Sequence, residues 1–131
     1  MTMLKILIQP KDSKTVCKAI IVDKKGRVLL LKRTEYMKKF ANTWDLPGGH
    51  VHVGESNVDG LRREVKEETD LDLSDVKFAK TVDGRHFFLC KVDKFDIKLS
   101  NEHSEYLFRE VEELDVRNKF EKIAQEILKN G

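Results

Sequence analysis

The spacing of apolar residues changes period along this chain, and that switch restricts it to a mixed α/β arrangement. Val16 to Val22 and Arg27 to Arg33 are dense in β-branched and aliphatic residues, and Asp23-Lys24-Lys25-Gly26 between them supplies turn chemistry, so they read as a hairpin. Val76 to Val82 and His86 to Val92 flank Asp83-Gly84-Arg85, where glycine can take the positive φ of a tight connection, which predicts a second hairpin. Phe95 to Leu99 and Glu105 to Arg109 read as further short strands, with a loop as the alternative for the second. Elsewhere the period is helical. Ser56 is placed to cap a helix over Asn57 to Thr69, where Val58, Leu61 and Val65 share a face. Phe120, Ile123, Ala124, Ile127 and Leu128 form the apolar stripe of a second helix, about a dozen residues long. Residues 34 to 45 are polar and read as a loop ending at Leu46-Pro47-Gly48-Gly49, where proline and two glycines argue against a regular element.

At 131 residues the chain suits one domain over its whole length, and 40% apolar with 37% charged residues separates it from disordered sequences. Its 25 basic and 23 acidic residues leave a net charge of +2, which gives no warrant for a nucleic-acid or membrane-surface partner. Ile20-Ile21-Val22 and Val28 to Leu31 are strand-length, and no apolar run approaches the roughly 18 to 20 residues of a spanning helix. Residues 1 to 8 lack a sustained apolar region and a small-residue cleavage site, so no secretion signal is expected. Cys17 and Cys90 lie inside apolar segments without metal-type spacing and read as buried free thiols, which suits a reducing cytoplasm.

Glu64, Glu67 and Glu68 stand at i, i+3 and i+4, within an arc of roughly 100° on the first helix. Like charges at this spacing repel, so the helix needs compensation. Pairing with Arg62, Arg63 and Lys66 on a solvated face is one source. A divalent cation such as magnesium or manganese, which prefers carboxylate and carbonyl oxygens, is the other. His50 and His52 alternate along the chain but have no third ligand spaced nearby for zinc.

The cluster sits in a longer pattern. Gly49 is followed after five residues by Glu55, and after seven more by Arg63-Glu64-Val65-Lys66-Glu67-Glu68-Thr69-Asp70-Leu71. This resembles the Nudix box, G-x5-E-x7-R-E-U-x-E-E-x-G-U with U a bulky aliphatic, and Gly49, Glu55, Arg63, Glu64, Val65, Glu67, Glu68 and Leu71 match it. Trp44-Asp45-Leu46-Pro47-Gly48-Gly49 resembles the family's approach to the box. The departure is Asp70, where the family has glycine. That position suits a left-handed residue ending the helix, a conformation Asp tolerates better than most, so the expected effect falls on stability.

The resemblance implies a Nudix-type α/β/α sandwich with a mixed central sheet and antiparallel hairpins. It implies hydrolysis of a phosphoanhydride bond in a nucleoside diphosphate-linked substrate with Mg2+, or Mn2+ in its place. It carries Glu64, Glu67, Glu68 and the Gly49 carbonyl into the metal site, with Glu64 as first choice of general base and Glu68 as second. Glu55 and Arg63 become a structural pair tying loop to helix. Glu105 resembles a downstream metal-binding or base glutamate of compact members, against the plainer reading of a solvated turn carboxylate. For the rest of the substrate, Trp44, Tyr36 and Phe40 suit either base stacking or plugging of the core edge, and Arg33 with Lys38 and Lys39 suits either phosphate binding or ordinary surface charge. The ADP-ribose signature would place a proline some fifteen residues beyond the box, and the dinucleoside polyphosphate signature a tyrosine near there. The chain has His86, Phe87 and Phe88 in that region and no proline after Pro47. A compact MutT-like nucleoside triphosphate pyrophosphohydrolase is therefore expected, oxidised triphosphates included among its substrates. RNA 5′-end pyrophosphohydrolysis and non-catalytic nucleotide sensing are the competing readings.

Overall fold

The computed structural model describes residues 12–130; the reading of residues 1 to 8 lies outside them. Strand β1 (Asp12–Ile21) is followed by β2 (Val28–Arg33), a short β3 (Trp44–Asp45) and β4 (Gly48–His52). Helix α1 (Asn57–Thr69) leads to β5 (Leu73–Val82), β6 (Arg85–Val92) and β7 (His103–Arg109), and α2 (Lys119–Asn130) follows. The strands make two sheets. One runs β4-β1-β6-β5 and is mixed, because β1 and β6 are parallel while the other pairs are antiparallel; the second is β3-β2-β7, all antiparallel.

The first expected hairpin is therefore corrected. The Asp23 to Gly26 turn does close, with the Gly26 amide donating to the Asp23 carbonyl and Gly26 at φ 79°. Beyond the Val22–Val28 bridge, however, β1 and β2 separate into different sheets. The reason lies in burial on both faces. Cys17, Ala19 and Ile21 of β1 and Leu29 and Leu31 of β2 join Leu61 and Val65 of α1 in one core. Ile20, Val28 and Leu30 join Phe87, Ile123 and Ala124 in another, on the α2 side. A strand covered on both faces reads as a continuous apolar run, and Val28 to Leu31 is one. Sheets lie between the two helices, as the sandwich expectation requires.

The second hairpin forms, with Asp83 at φ 49° and Gly84 at φ 76°, the paired positive values of a tight two-residue turn. Two other expectations are corrected. Phe95, Ile97 and Leu99 pack on the α1-side core, but residues 95–99 join no sheet. The Lys98 and Ser100 amides instead donate to the Thr69 and Glu68 carbonyls, which the end of α1 leaves unpaired. Gly48 and Gly49, expected to forbid regular structure, open β4 opposite Lys18 and Cys17. A Cβ at Gly48 would meet the Cys17 carbonyl oxygen, and its φ of 134° is open to glycine, so the glycine permits the close strand approach.

Cys17 and Cys90 are buried and free. Among the described residues, no helix is long and apolar enough to cross a membrane.

Candidate active site

Helix α1 begins at Ser56, whose hydroxyl accepts from the Asp59 amide at 3.1 Å, and ends at Asp70 in the left-handed region, φ 63° and ψ 14°. Leu61 and Val65 bury one face of the helix, which turns Glu64 and Glu68 toward β4. Glu64 fills the space that a side chain on residue 49 would take, its Oε2 lying 2.8 Å from where a Gly49 Cβ would be. Glu68 is only 6% exposed, and its Oε1 accepts the Gly48 amide at 2.8 Å.

Arg63 holds this arrangement together. Its Nε and one terminal nitrogen donate to the two Glu55 oxygens at 2.9 and 3.1 Å, and the same terminal nitrogen donates to the His50 carbonyl. The other terminal nitrogen donates to Glu64 at 3.0 Å and to Glu67 at 3.2 Å. The Glu55 carboxylate also accepts the His52 amide at 2.7 Å. These bonds, Arg63's first, hold the Glu55 carboxyl down to about 2, far below the ordinary carboxylate range. Burial acts the other way on the helix carboxylates. It raises Glu64 against the opposing Arg63 charge, and lifts Glu68 to about 8 despite the Gly48 amide and nearby Lys18.

Glu64, Glu68 and Gly49 line an open cleft of about 520 Å³. Glu102, from the turn before β7, lines it too; its carbonyl accepts the Thr34 amide, which fastens the turn to the end of β2. Lys18, Asp45, Arg33, Arg85 and Phe120 also line it, with the exposed Lys39 and Phe40 at the mouth. Carboxylates and cations thus line one space open to solvent. All its acidic donors are hard oxygens, suited to Mg2+ or Mn2+. Among the described residues no three His, Cys, Asp or Glu side chains stand gathered into a ready metal cluster.

The cleft brings together Gly49, Glu64, Glu68, Arg33 and Phe40 from the residues singled out in the sequence. Glu67 is tied to it through Arg63, and its side chain is 58% exposed. Glu105 is not brought there: it sits on β7 opposite Lys32 and pairs with that ammonium at 3.4 Å. Trp44 packs against the α2-side core under Lys32 and Arg109, and Tyr36 is 86% exposed, outside the cleft lining. Lys18, Asp45, Arg85, Glu102 and Phe120 escaped the sequence reading. One signal was available: Lys18 is the lone charge in the run Val16-Cys17-Lys18-Ala19-Ile20-Ile21.

A family model described as NUDIX domain matches residues 13–130. The chain is similar to Nudix hydrolase 5 of Arabidopsis thaliana, 29% identical over 66% of this chain and 32% of that protein. It is also similar to the nucleoside triphosphatase NudI of Salmonella agona, 29% identical over 72% of this chain and 80% of the relative. The chain therefore spans about a third of the length of the plant relative. Among solved structures, the MutT protein from Methanosarcina mazei Go1 superposes with a TM-score of 0.67 at 29% identity, covering 88% of this chain and 92% of that one.

Proposed function

Because the chain belongs to the NUDIX domain family, we propose that it hydrolyses a phosphoanhydride bond in a nucleoside diphosphate-linked substrate, chiefly a (deoxy)nucleoside triphosphate, giving the monophosphate and pyrophosphate. The observation that carries this reading is the cleft itself, whose lining combines Glu64, Glu68 and Glu102 with Arg33, Lys39 and Arg85. A polyphosphate offers both sets what they need: anionic oxygens for the cations, and oxygens that share a bound metal with the carboxylates. The name of the Salmonella relative, a nucleoside triphosphatase, supports the choice of substrate.

Family members generally use divalent metal ions, and the oxygen-only donor set fits one, Mg2+ by preference with Mn2+ as substitute. Glu64, Glu67, Glu68 and the Gly49 carbonyl would hold it, with Glu102 in the role the sequence reading gave to Glu105. When bound, the ion neutralises phosphate oxygens and lowers the pKa of water. Glu64, which lies against the Gly49 backbone, is the general base of choice, and Glu68, which accepts the Gly48 amide, the second. Arg63, gripped by Glu55, orients Glu64. Arg33 and Arg85 bind phosphate oxygens, and Phe40 at the mouth offers a stacking face. The buried free Cys17 and Cys90 support action in a reducing, cytoplasmic setting. Incubating the protein with magnesium and a panel of nucleoside triphosphates, ADP-ribose and dinucleoside polyphosphates tests the substrate class. Triphosphates should be turned over fastest, and a clear preference for either other class would contradict the assignment.

A further inference from the structure

Residues 34–43 join β2 to β3 and put Met37, Lys39 and Phe40 into the cleft lining. Arg33 closes the base of this loop: its amide donates to the Thr43 carbonyl at 2.9 Å, and its carbonyl accepts the Asn42 amide at 3.0 Å. Its side chain also reaches the tip, where Nε donates to the Lys39 carbonyl at 3.1 Å. Thr43 holds the next carbonyl, that of Phe40, donating its hydroxyl at 2.6 Å and its amide at 3.3 Å. Among the described residues, the hydrogen bonds of residues 35–42 run only within the loop and to Arg33.

Stability is a poor reason for this arrangement. Phe40 sits at φ 56°, a left-handed backbone that a bulky aromatic residue rarely adopts, and its ring lies in solvent, the residue being 72% exposed. Glycine would hold the same turn without strain, and without a ring in solvent. A segment with so few bonds to the rest of the fold opens at low cost, so a ligand can move it.

Arg33 is placed to couple ligand and loop. A guanidinium carries five N–H groups in one rigid plane, and the Lys39 carbonyl takes the one on Nε. Of the terminal nitrogens, Nη1 stands 3.8 Å from Asp45 Oδ2, beyond hydrogen-bond length. The terminal pair therefore keeps donors for an anionic oxygen while Nε holds the loop.

We propose that residues 34–43 form a lid latched by phosphate. A polyphosphate taken by the terminal nitrogens of Arg33 fixes the guanidinium, which through Nε draws the loop down, so that Lys39 meets the phosphates and Phe40 covers the cleft mouth. This rests on the nucleotide reading above and adds the element that shuts water out. A ligand shifts such an equilibrium only by what it gains in the closed form, and here the gain is the Lys39 charge against phosphate oxygens in a space shielded from solvent.

Hydrogen exchange of the full chain with magnesium tests the latch, using α,β-methylene ATP and inorganic tripolyphosphate as probes, with saturation fixed by calorimetric titration. Either probe should slow the amides of residues 35–42 by about 10-fold or more, while those of residues 123–130 in α2 stay within about twofold. Loop exchange that is unchanged at saturation, or slowed no more than that of α2, overturns the lid. Arg33→Lys keeps the charge but has no planar fork to hold carbonyl and phosphate together, so its loop should stay unprotected at saturation. Equal protection in that variant overturns the latch. Protection of the wild type by α,β-methylene ATP but not by tripolyphosphate would place the trigger on the nucleoside and overturn the latch whatever the variant does. Failure of the wild type to bind either probe would instead overturn the polyphosphate reading on which the lid rests.

Discussion

Asp70 ends helix α1 at φ 63° and ψ 14°, donating its amide to the Lys66 carbonyl at 2.9 Å. A left-handed backbone costs a non-glycine residue on the order of 1 kcal/mol, and the contact of its carboxylate with the Lys66 ammonium is solvent-exposed and offsets only part of that. Asp70→Gly should therefore raise the unfolding free energy by roughly 0.5 to 1 kcal/mol in denaturant titrations, with turnover close to wild type. A loss of turnover without loss of stability would make Asp70 functional. Glu68→Gln is the opposite kind of change. The amide oxygen can still accept from Gly48, so the fold should persist, while turnover should fall by about 100-fold or more, as should that of Glu64→Gln. Near-wild-type rates in both variants would remove Glu64 and Glu68 from the chemistry. The left-handed site at Asp70 was legible because helix-end chemistry is local. Lys18 and Asp45 were not, because nothing in either residue announces a partner 27 positions away.

Between the β4 loop and α1, the Glu55–Arg63 grip gives the pair of elements its own pH dependence. The Glu55 carboxyl titrates at about 2 in the folded protein against an ordinary value of 4.5, chiefly through its hydrogen bond from Arg63. A carboxylate with a depressed folded value contributes its stability in full above 4.5 and loses it as pH falls through that value toward 2, since the unfolded chain binds the proton first. Wild-type melting temperature should thus decline between pH 4.5 and 2 more steeply than that of Glu55→Gln, and parallel profiles would show that the grip does not contribute. This pair was readable from its spacing in the box. Residues 95–99 were misread because alternating Phe95, Ile97 and Leu99 give the same period in a sheet or against a helix end, and only the Thr69 and Glu68 carbonyls decide between them.

At the level of the whole molecule, two sheets separate after a single bridge and are covered by helices on opposite faces, and the cleft opens where β1, β2 and β4 meet the start of α2. Fold class was legible because the apolar period changes where elements change. The divergence of β1 and β2 was not, because a continuous apolar run does not say which strand lies beside it. That Glu102 and not Glu105 lines the cleft has the same origin: both lie in one short segment, and the β2–β7 register sets Glu105 opposite Lys32. The central claim is that this cleft, loaded with a divalent cation, splits a nucleoside triphosphate between its α and β phosphates. A phosphorus-31 spectrum recorded during turnover tests it most directly. With magnesium it should show a nucleoside monophosphate and pyrophosphate growing together, stopping on chelation and resuming when magnesium is restored. Release of orthophosphate with a nucleoside diphosphate, or turnover that continues undiminished after the metal is removed, would contradict it.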